Sequence, residues 1–360
     1  MFIARIIADV EPGGAQLHVI RVTRQLACHG IRSRVLAGHA TAAGRRLFAA
    51  AGVELDVWGS PTRLQYAADA AFAEWLAPRV AGADLVHAHM FGGWWAAARA
   101  VAEGTPLVGS EHNPLRWPAR PLDDELRDGL ARVDRFFAHG SQARDAVLAG
   151  GIDPDRVYEG LSPLVGLDAR PLRGLPSPRI VFTGRLHPEK GPDILLEALA
   201  LMRRPPPCYL LGAGPMELAL RDQAARLRLG RRVHFVGWQD EPAPWVAGAS
   251  VLAQPSRDEA WSQSAVVAMG LGVTVVGTAV DDLPRTLGDG RGIIVPPEDP
   301  PALATALRDV IDGRRVHDVE AGRAYARQFT VERVTAMYAE AYAELVAGSR
   351  DGSRAAASAP

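Results

Sequence analysis

The chain has 360 residues, and at about 150 residues per domain this length favours two domains over one; hydrophobic residues make up 48%, enough for a packed core in each. Fibrous, collagen-like and wholly disordered chains are excluded. Forty Lys and Arg stand against 41 Asp and Glu, so no net field draws the protein to nucleic acid or an anionic membrane, and any charged ligand must be met by local clusters. Two cysteines, Cys28 and Cys208, are too few for a disulfide framework or a four-cysteine zinc site, and they suit a reducing, cytoplasmic setting.

The opening MFIARIIADV is interrupted by Arg5 and Asp9 and does not read as the apolar stretch of a signal peptide. It reads as a first strand over 2–8. Further strands are expected over 33–38, 54–58, 85–88, 106–109 and 135–138, with helices over 15–28, 66–80 and 123–133 between them. Residues 163–178 are rich in Pro and Gly and lack either period, which marks 164–178 as a linker between a domain over 1–163 and one over 179–330. In the second domain, strands are expected over 179–183, 208–211, 233–236, 251–253, 273–276 and 292–295, and helices over 193–202, 215–229 and 301–312. A last helix over 331–348 is expected to pack across the domains, and 349–360 reads as a disordered tail. Short apolar runs alternating with amphipathic helices predict α/β architecture, two doubly wound parallel sheets with helices on both faces.

Residues 260–280 carry no charge and are long enough to cross a bilayer. Gly270, Gly272 and Gly277 argue against a span, and the segment reads as a buried helix, a turn and a buried strand. No integral membrane segment is expected.

Ligands of open parallel sheets bind outside the carboxyl ends of the strands, where helix amino termini present free N–H groups. Three such loops carry chemistry. The first, Glu11-Pro12-Gly13-Gly14-Ala15-Gln16, lets backbone approach a ligand closely, although its spacing matches neither the P-loop nor the dinucleotide fingerprint. The second runs from Gly184 and Arg185 to Lys190 and Gly191 and sets a planar guanidinium and a mobile ammonium near a helix start, a pair suited to a diphosphate; a solvated basic turn is the plainer alternative. The third runs from Pro255 through Asp258, Glu259, Ser262 and Ser264 into a buried helix.

These motifs, in this order, resemble glycosyltransferase family 4, retaining enzymes of the GT-B fold that use nucleotide-sugar donors. The resemblance spans nearly the whole chain: EPGGAQ near the start, VHAH at 86–89, SEH at 110–112, GRLHPEKGPDILLEAL at 184–199, LLGAGP at 210–215, VHFVGW at 233–238, and PSRDEAW through VVGT at 255–278. It implies two Rossmann-like domains facing a central cleft, with the C-terminal helix returning to the first. It also implies that Arg185 and Lys190 hold the donor diphosphate, with Gly184, Ser262 and Ser264 beside them. Glu259, the first acid of an E-x7-E pattern, would contact hydroxyls of the transferred sugar. Gly13 and Gly14 would line the cleft and His112 would lie near the anomeric centre; a capping or core histidine is the alternative there. His87 and His89 share a strand face, but no third ligand of matching spacing appears. Neither metal nor cofactor is expected, the nucleotide sugar being a co-substrate.

The second acid of E-x7-E is replaced by Val267, which leaves ribose recognition, and with it the nucleotide, open. The adjacent carboxylates Asp281 and Asp282 suit either a solvated turn or a cationic acceptor. Sequence likeness from 259 onward to transferases that decorate aminocyclitol antibiotics implies a small polar, cationic acceptor, contacted by Glu11, Gln16, His89, Glu111, Asp281 and Asp282, with a UDP-sugar as favoured donor. A glycolipid or cell-wall glycan acceptor, and a sugar-nucleotide-binding protein without turnover, remain the alternatives.

Overall fold

The computed structural model describes residues 1–112, 124–315 and 317–357. It divides into two compact units, Met1–Pro163 with Val331–Pro360, and Leu164–Thr330. The first is built on β1 (Phe2–Val10), β2 (Arg32–Ala40), β3 (Leu55–Val57), β4 (Leu85–His89), β5 (Leu107–Glu111), β6 (Arg135–Ala138) and β7 (Val157–Glu159), a parallel sheet in the order β3-β2-β1-β4-β5-β6-β7. The second holds β8 (Ile180–Thr183), β9 (Cys208–Leu211), β10 (Val233–Gly237), β11 (Val251–Gln254), β12 (Thr274–Thr278) and β13 (Ile293–Val295), also parallel, in the order β10-β9-β8-β11-β12-β13. The expected doubly wound α/β class is therefore present twice. Strand order reverses once in each sheet, between β1 and β4 and between β8 and β11. In open α/β sheets, ligands bind outside the carboxyl ends of the strands at such a reversal.

Strands covered on both faces should read as unbroken apolar runs. In β1, Ile3, Ala4, Ile6, Ile7, Ala8 and Val10 are fully buried. Burying each large aliphatic side chain contributes about 1.5–3 kcal/mol. Arg5 breaks the run and is itself buried. Its Nη2 donates to Tyr342 Oη at 3.0 Å, and the same hydroxyl lies 2.6 Å from His87 Nδ1. Tyr342 belongs to the last helix, Val331–Ala357, whose Val334, Tyr338, Tyr342 and Val346 recur every four residues and pack on Ile3, Leu85, Val108 and Phe137 of the sheet and on Val22 and Leu26 of the helix Gly14–Cys28. The return of this helix to the first unit thus rests on an apolar stripe with two tyrosine hydroxyls inside it, Tyr338 donating to Leu161 O at 3.2 Å.

Several boundaries differ from expectation for local reasons. The helix expected from 66 starts at Ala70, because Asp69 Oδ1 accepts the Phe72 N–H at 3.0 Å and caps it there. The expected linker 164–178 packs within the second unit: Leu164 N–H donates to Phe329 O at 2.7 Å and Leu172 N–H to Pro244 O at 3.1 Å. Residues 349–357, expected as a tail, continue the last helix; their alanines favour it, and Ser349 Oγ donates to Gly104 O. Residues 358–360 lie outside the described residues. Residues 260–280 form the helix Gln263–Gly270, a turn with Gly272 at φ +74°, and the buried strand β12. No helix among the described residues is long and apolar enough to cross a membrane.

Tyr342→Phe keeps the ring and removes the one hydroxyl that both Arg5 and His87 engage. Two buried polar groups then lose a partner, and the expected cost is about 1–3 kcal/mol, measured as a lower urea midpoint with unchanged slope. An unchanged midpoint would mean that the hydroxyl contributes nothing to docking the helix.

Candidate active site

In the second unit, the loop after β8 passes through a short 3-10 turn, Pro188–Lys190, to Gly191, which precedes the helix Pro192–Ala200. Gly191 sits at φ +62°, and a Cβ there would lie 2.0 Å from Pro255 O. Only glycine satisfies both conditions. Gly212, after β9, has φ +141°, and its Cβ would lie 1.9 Å from Gly184 O. The loops after β8, β9 and β11 therefore pack backbone against backbone. Hydrogen bonds from Leu186 N to Ala213 O (3.0 Å) and from Arg257 N to Glu189 O (2.8 Å) fasten them. Arg257 adds a two-pronged bond to Asp193, 2.8 Å to each carboxylate oxygen; burial would raise the Asp193 carboxyl, but these bonds outweigh it and hold it below the ordinary range.

This frame carries Lys190 and Glu259. Lys190 Nζ lies 2.9 Å from Glu259 Oε1, and Glu259 Oε2 accepts from Gln254 Nε2 at 2.9 Å and from Ser256 Oγ at 3.2 Å. The Glu259 side chain is 7% exposed and that of Lys190 18%. The pair spans the β8 and β11 loops, where the strand order reverses. Arg185 pairs with Glu189 and is 40% exposed. Ser264 Oγ and Thr183 Oγ1 are hydrogen-bonded at 2.5 Å, tying the helix Gln263–Gly270 to β8, and Ser262 caps that helix by accepting the Ala265 N–H at 3.2 Å. Val267 is half-buried on the same helix.

Beside Glu259 lies a second group of carboxylates. Asp281, at φ +47°, accepts the Glu259 N–H at 2.5 Å. Asp258 is pushed up to about 6, first by burial and then by the Asp281 carboxylate, to which it is hydrogen-bonded. Two acids this close share a proton in preference to carrying two charges. Asp282 is buried, with Arg285 Nη2 3.6 Å from its carboxylate.

In the first unit, Glu11 pairs with Arg63, and Gln16 is buried with its amide donating to Asp9 O at 2.8 Å. Gly13 is extended, and a Cβ on it would lie 2.9 Å from Gln16 Oε1; the helix Gly14–Cys28 follows. That helix carries His18 onto the ends of β4, β5 and β6, which supply His87, His89, His112 and His139. His18 lies 5.5 Å from the His89 ring, 5.1 Å from His112 and 5.1 Å from His139, while His112 stacks on His139 at 4.0 Å. His89 Nδ1 and His112 Nε2 are 3.1 Å apart. Burial keeps all five imidazoles neutral: His112 is lowered to about 3, and the other four fall well below the ordinary value, with neighbouring imidazoles and, for His18, His87 and His89, Arg5 adding to the effect. His112 N–H donates to Glu111 Oε1 at 3.0 Å, and Trp94 Nε1 reaches Glu111 Oε2 at 3.4 Å.

Each unit thus gathers its own set of expected residues. Gly184, Arg185, Lys190, Glu259, Ser262, Ser264, Asp281 and Asp282 lie on the loops after β8, β11 and β12. Glu11, Gly13, Gly14, Gln16, His89, Glu111 and His112 lie at the ends of β1, β4 and β5. Sequence reasoning missed Gln254 and Ser256, polar residues flanking Pro255 at the exit of an apolar strand, and it missed His18 and His139.

Comparison with known proteins identifies the family and the fold. Residues 12–158 match the family model described as Glycosyltransferase Family 4, and residues 177–313 match Glycosyl transferases group 1. A D-inositol 3-phosphate glycosyltransferase of Streptomyces bingchenggensis is 31% identical over 77% of this chain and 70% of its own length. One from Streptomyces avermitilis is 29% identical over 88% and 79%. The structure of Anabaena HepE in complex with UDP superposes with a TM-score of 0.81 at 20% identity, covering 96% of this chain and 100% of that one. With both units matched and the doubly wound sheets in place, the chain belongs to glycosyltransferase family 4 and is a glycosyltransferase of GT-B fold.

Proposed function

We propose that the enzyme moves a hexose-type sugar from a UDP-sugar to a hydroxyl of a small cationic cyclitol, an aminocyclitol or pseudodisaccharide, with retention of configuration. The observation that carries the donor half is the Lys190–Glu259 pair at the reversal of strand order in the second unit. Transfer from a nucleotide sugar builds negative charge on the departing diphosphate while the sugar gains oxocarbenium character. Lys190 and Arg185 neutralise that charge, so the step needs no metal. Glu259 keeps Lys190 in place and, as the family resemblance implies, binds sugar hydroxyls. Engaged in this way it is a poor nucleophile for a double displacement, which favours same-face attack with the leaving phosphate taking the acceptor proton. His112 is neutral and acts as a hydrogen-bonding group near the anomeric carbon. UDP in the HepE structure supports the choice of nucleotide.

The acceptor half rests on Asp258 and Asp281 beside Glu259, carboxylates that attract ammonium groups and repel a phosphate. The relatives are named for D-inositol 3-phosphate, a cyclitol of opposite charge, so a phosphorylated cyclitol is the competing acceptor. Purified enzyme given UDP-sugars should glycosylate neamine-like acceptors; turnover on inositol 3-phosphate alone would reverse the charge assignment. A thermal-shift panel of UDP-, GDP-, ADP- and dTDP-sugars should show the largest rise with UDP-sugars, by mass action on the folded form.

Removing one donor aimed at the leaving charge typically costs about 2.7–4 kcal/mol. Lys190→Ala should therefore lower kcat on the order of a hundredfold or more while the chain stays folded by circular dichroism, and an unchanged kcat would remove Lys190 from the diphosphate.

Asp258 supplies a pH test. Its raised pKa means that the folded chain holds this proton more tightly than the unfolded one, so stability falls as pH rises between about 4 and 6. Over the upper part of that window the carboxylate becomes charged, and KM for a cationic acceptor should fall between about pH 5 and 7. Asp258→Asn should flatten both trends. KM that is independent of pH in the wild type would remove Asp258 from the acceptor site.

A further inference from the structure

We propose that His18, His89 and His112 form a binding site for a borderline divalent cation of the zinc class, distinct from the residues assigned to the donor diphosphate, with His112 ligating through one ring nitrogen and keeping the other for the sugar. The three come from separate elements of the first unit: the helix Gly14–Cys28, the end of β4 and the residue after β5. One ring nitrogen of each lies within 4.8 Å of the others. Nitrogens sharing a tetrahedral zinc at about 2.0–2.1 Å are separated by about 3.3 Å, close to the 3.1 Å at which His89 Nδ1 and His112 Nε2 are hydrogen-bonded to each other, a bond that the ion would replace.

The hydrogen-bond pattern favours the same assignment. His18 is fully buried, yet neither its Nδ1 nor its Nε2 has a hydrogen-bond partner among the described residues. A buried polar atom in that condition costs about 1–3 kcal/mol, and coordination through one nitrogen relieves it. His87 makes the contrast: its Nδ1 meets Tyr342 Oη and its Nε2 meets Ser110 Oγ at 2.8 Å, so both its nitrogens are committed and it stays outside the ligand set. Imidazole must be neutral to ligate, and burial holds these three in that form.

Charge sets the limit. Arg5 is a buried cation close enough to act on His18 and His89, and it weakens the site. The buried Glu111 carboxylate, bonded to the His112 N–H, offsets it. Three neutral nitrogens leave a fourth position for water or an anion, the pattern of zinc sites with three protein ligands.

The test uses the full chain, prepared without a polyhistidine tag and stripped of metal. Titrated Co2+ should bind at one equivalent with the strong visible absorption of a tetrahedral site, Zn2+ should bleach that band, and Zn2+ should raise the melting temperature reversibly to EDTA. His18→Gln and His89→Gln should each weaken binding at least about tenfold, with His29→Gln at wild-type affinity. X-ray absorption of the zinc form of the wild type should show imidazole nitrogens at about 2.0–2.1 Å, a readout independent of how the variants fold. A wild-type chain that retains no metal after desalting, an oxygen-only ligand shell, or undiminished binding by folded His18→Gln overturns the proposal.

Discussion

The ion pair between Lys190 and Glu259 is the constraint around which the second unit is arranged. Both charges have left most of their water, and an ion pair in that position repays its desolvation only if the remaining polar atoms are satisfied. Here they are: Gln254 and Ser256 close the second carboxylate oxygen, and Lys190 Nζ also reaches Asp258 O at 3.5 Å. The arrangement requires the loops after β8 and β11 to approach within contact, which in turn requires Gly191 under Pro255. Loop backbone, glycine and charge are one problem with one solution. Under the proposed function the ammonium is thereby held at the end of the sheet, where reorganisation during charge development would otherwise cost rate.

The first unit solves a different problem with the opposite chemistry. Five imidazoles, two tyrosines and one guanidinium are packed at the ends of its central strands, with burial stripping the histidines of charge. Under the proposed function, the uncharged imidazoles suit a neighbouring sugar, which offers hydroxyl dipoles and no net charge, while Arg5 sets a cation among them. In the second unit the loop ends are ionic instead, with Lys190 paired to Glu259 and a proton-sharing pair of aspartates nearby.

Most of the fold was legible because parallel strands buried on both faces leave long apolar runs, and the glycine-rich loops between runs cannot be helix or strand. What sequence spacing could not supply was convergence. His18 and His112 are separated by 94 positions and meet only because β1, β4 and β5 are neighbours in a sheet whose order is not chain order. Likewise, Asp281, at positive φ in the turn after β12, pairs with Asp258 from the loop after β11, while Asp282 is buried with Arg285 Nη2 3.6 Å from its carboxylate. The β7 edge strand was missed for another reason: three residues, two of them exposed, carry too little apolar pattern to announce it.

Val267 gives the departure from the family pattern a physical meaning under the proposed function. A carboxylate at that position would accept hydrogen bonds from ribose hydroxyls, and bonds to a charged acceptor contribute about 1.5–3 kcal/mol each. Ribose is common to UDP, GDP and ADP, so losing those bonds weakens all three alike and leaves the choice of base untouched. It does remove a means of rejecting deoxyribose, since a valine leaves no charged acceptor unpaired when the 2′-hydroxyl is missing. Donor affinity then depends more heavily on the phosphate end, where Lys190 is fixed by Glu259 before any ligand arrives, and preorganised charge loses little on binding. The substitution at 267 and the closely satisfied pair at 190 and 259 are two sides of one distribution of binding energy, shifted from the sugar ring of the nucleotide towards its diphosphate.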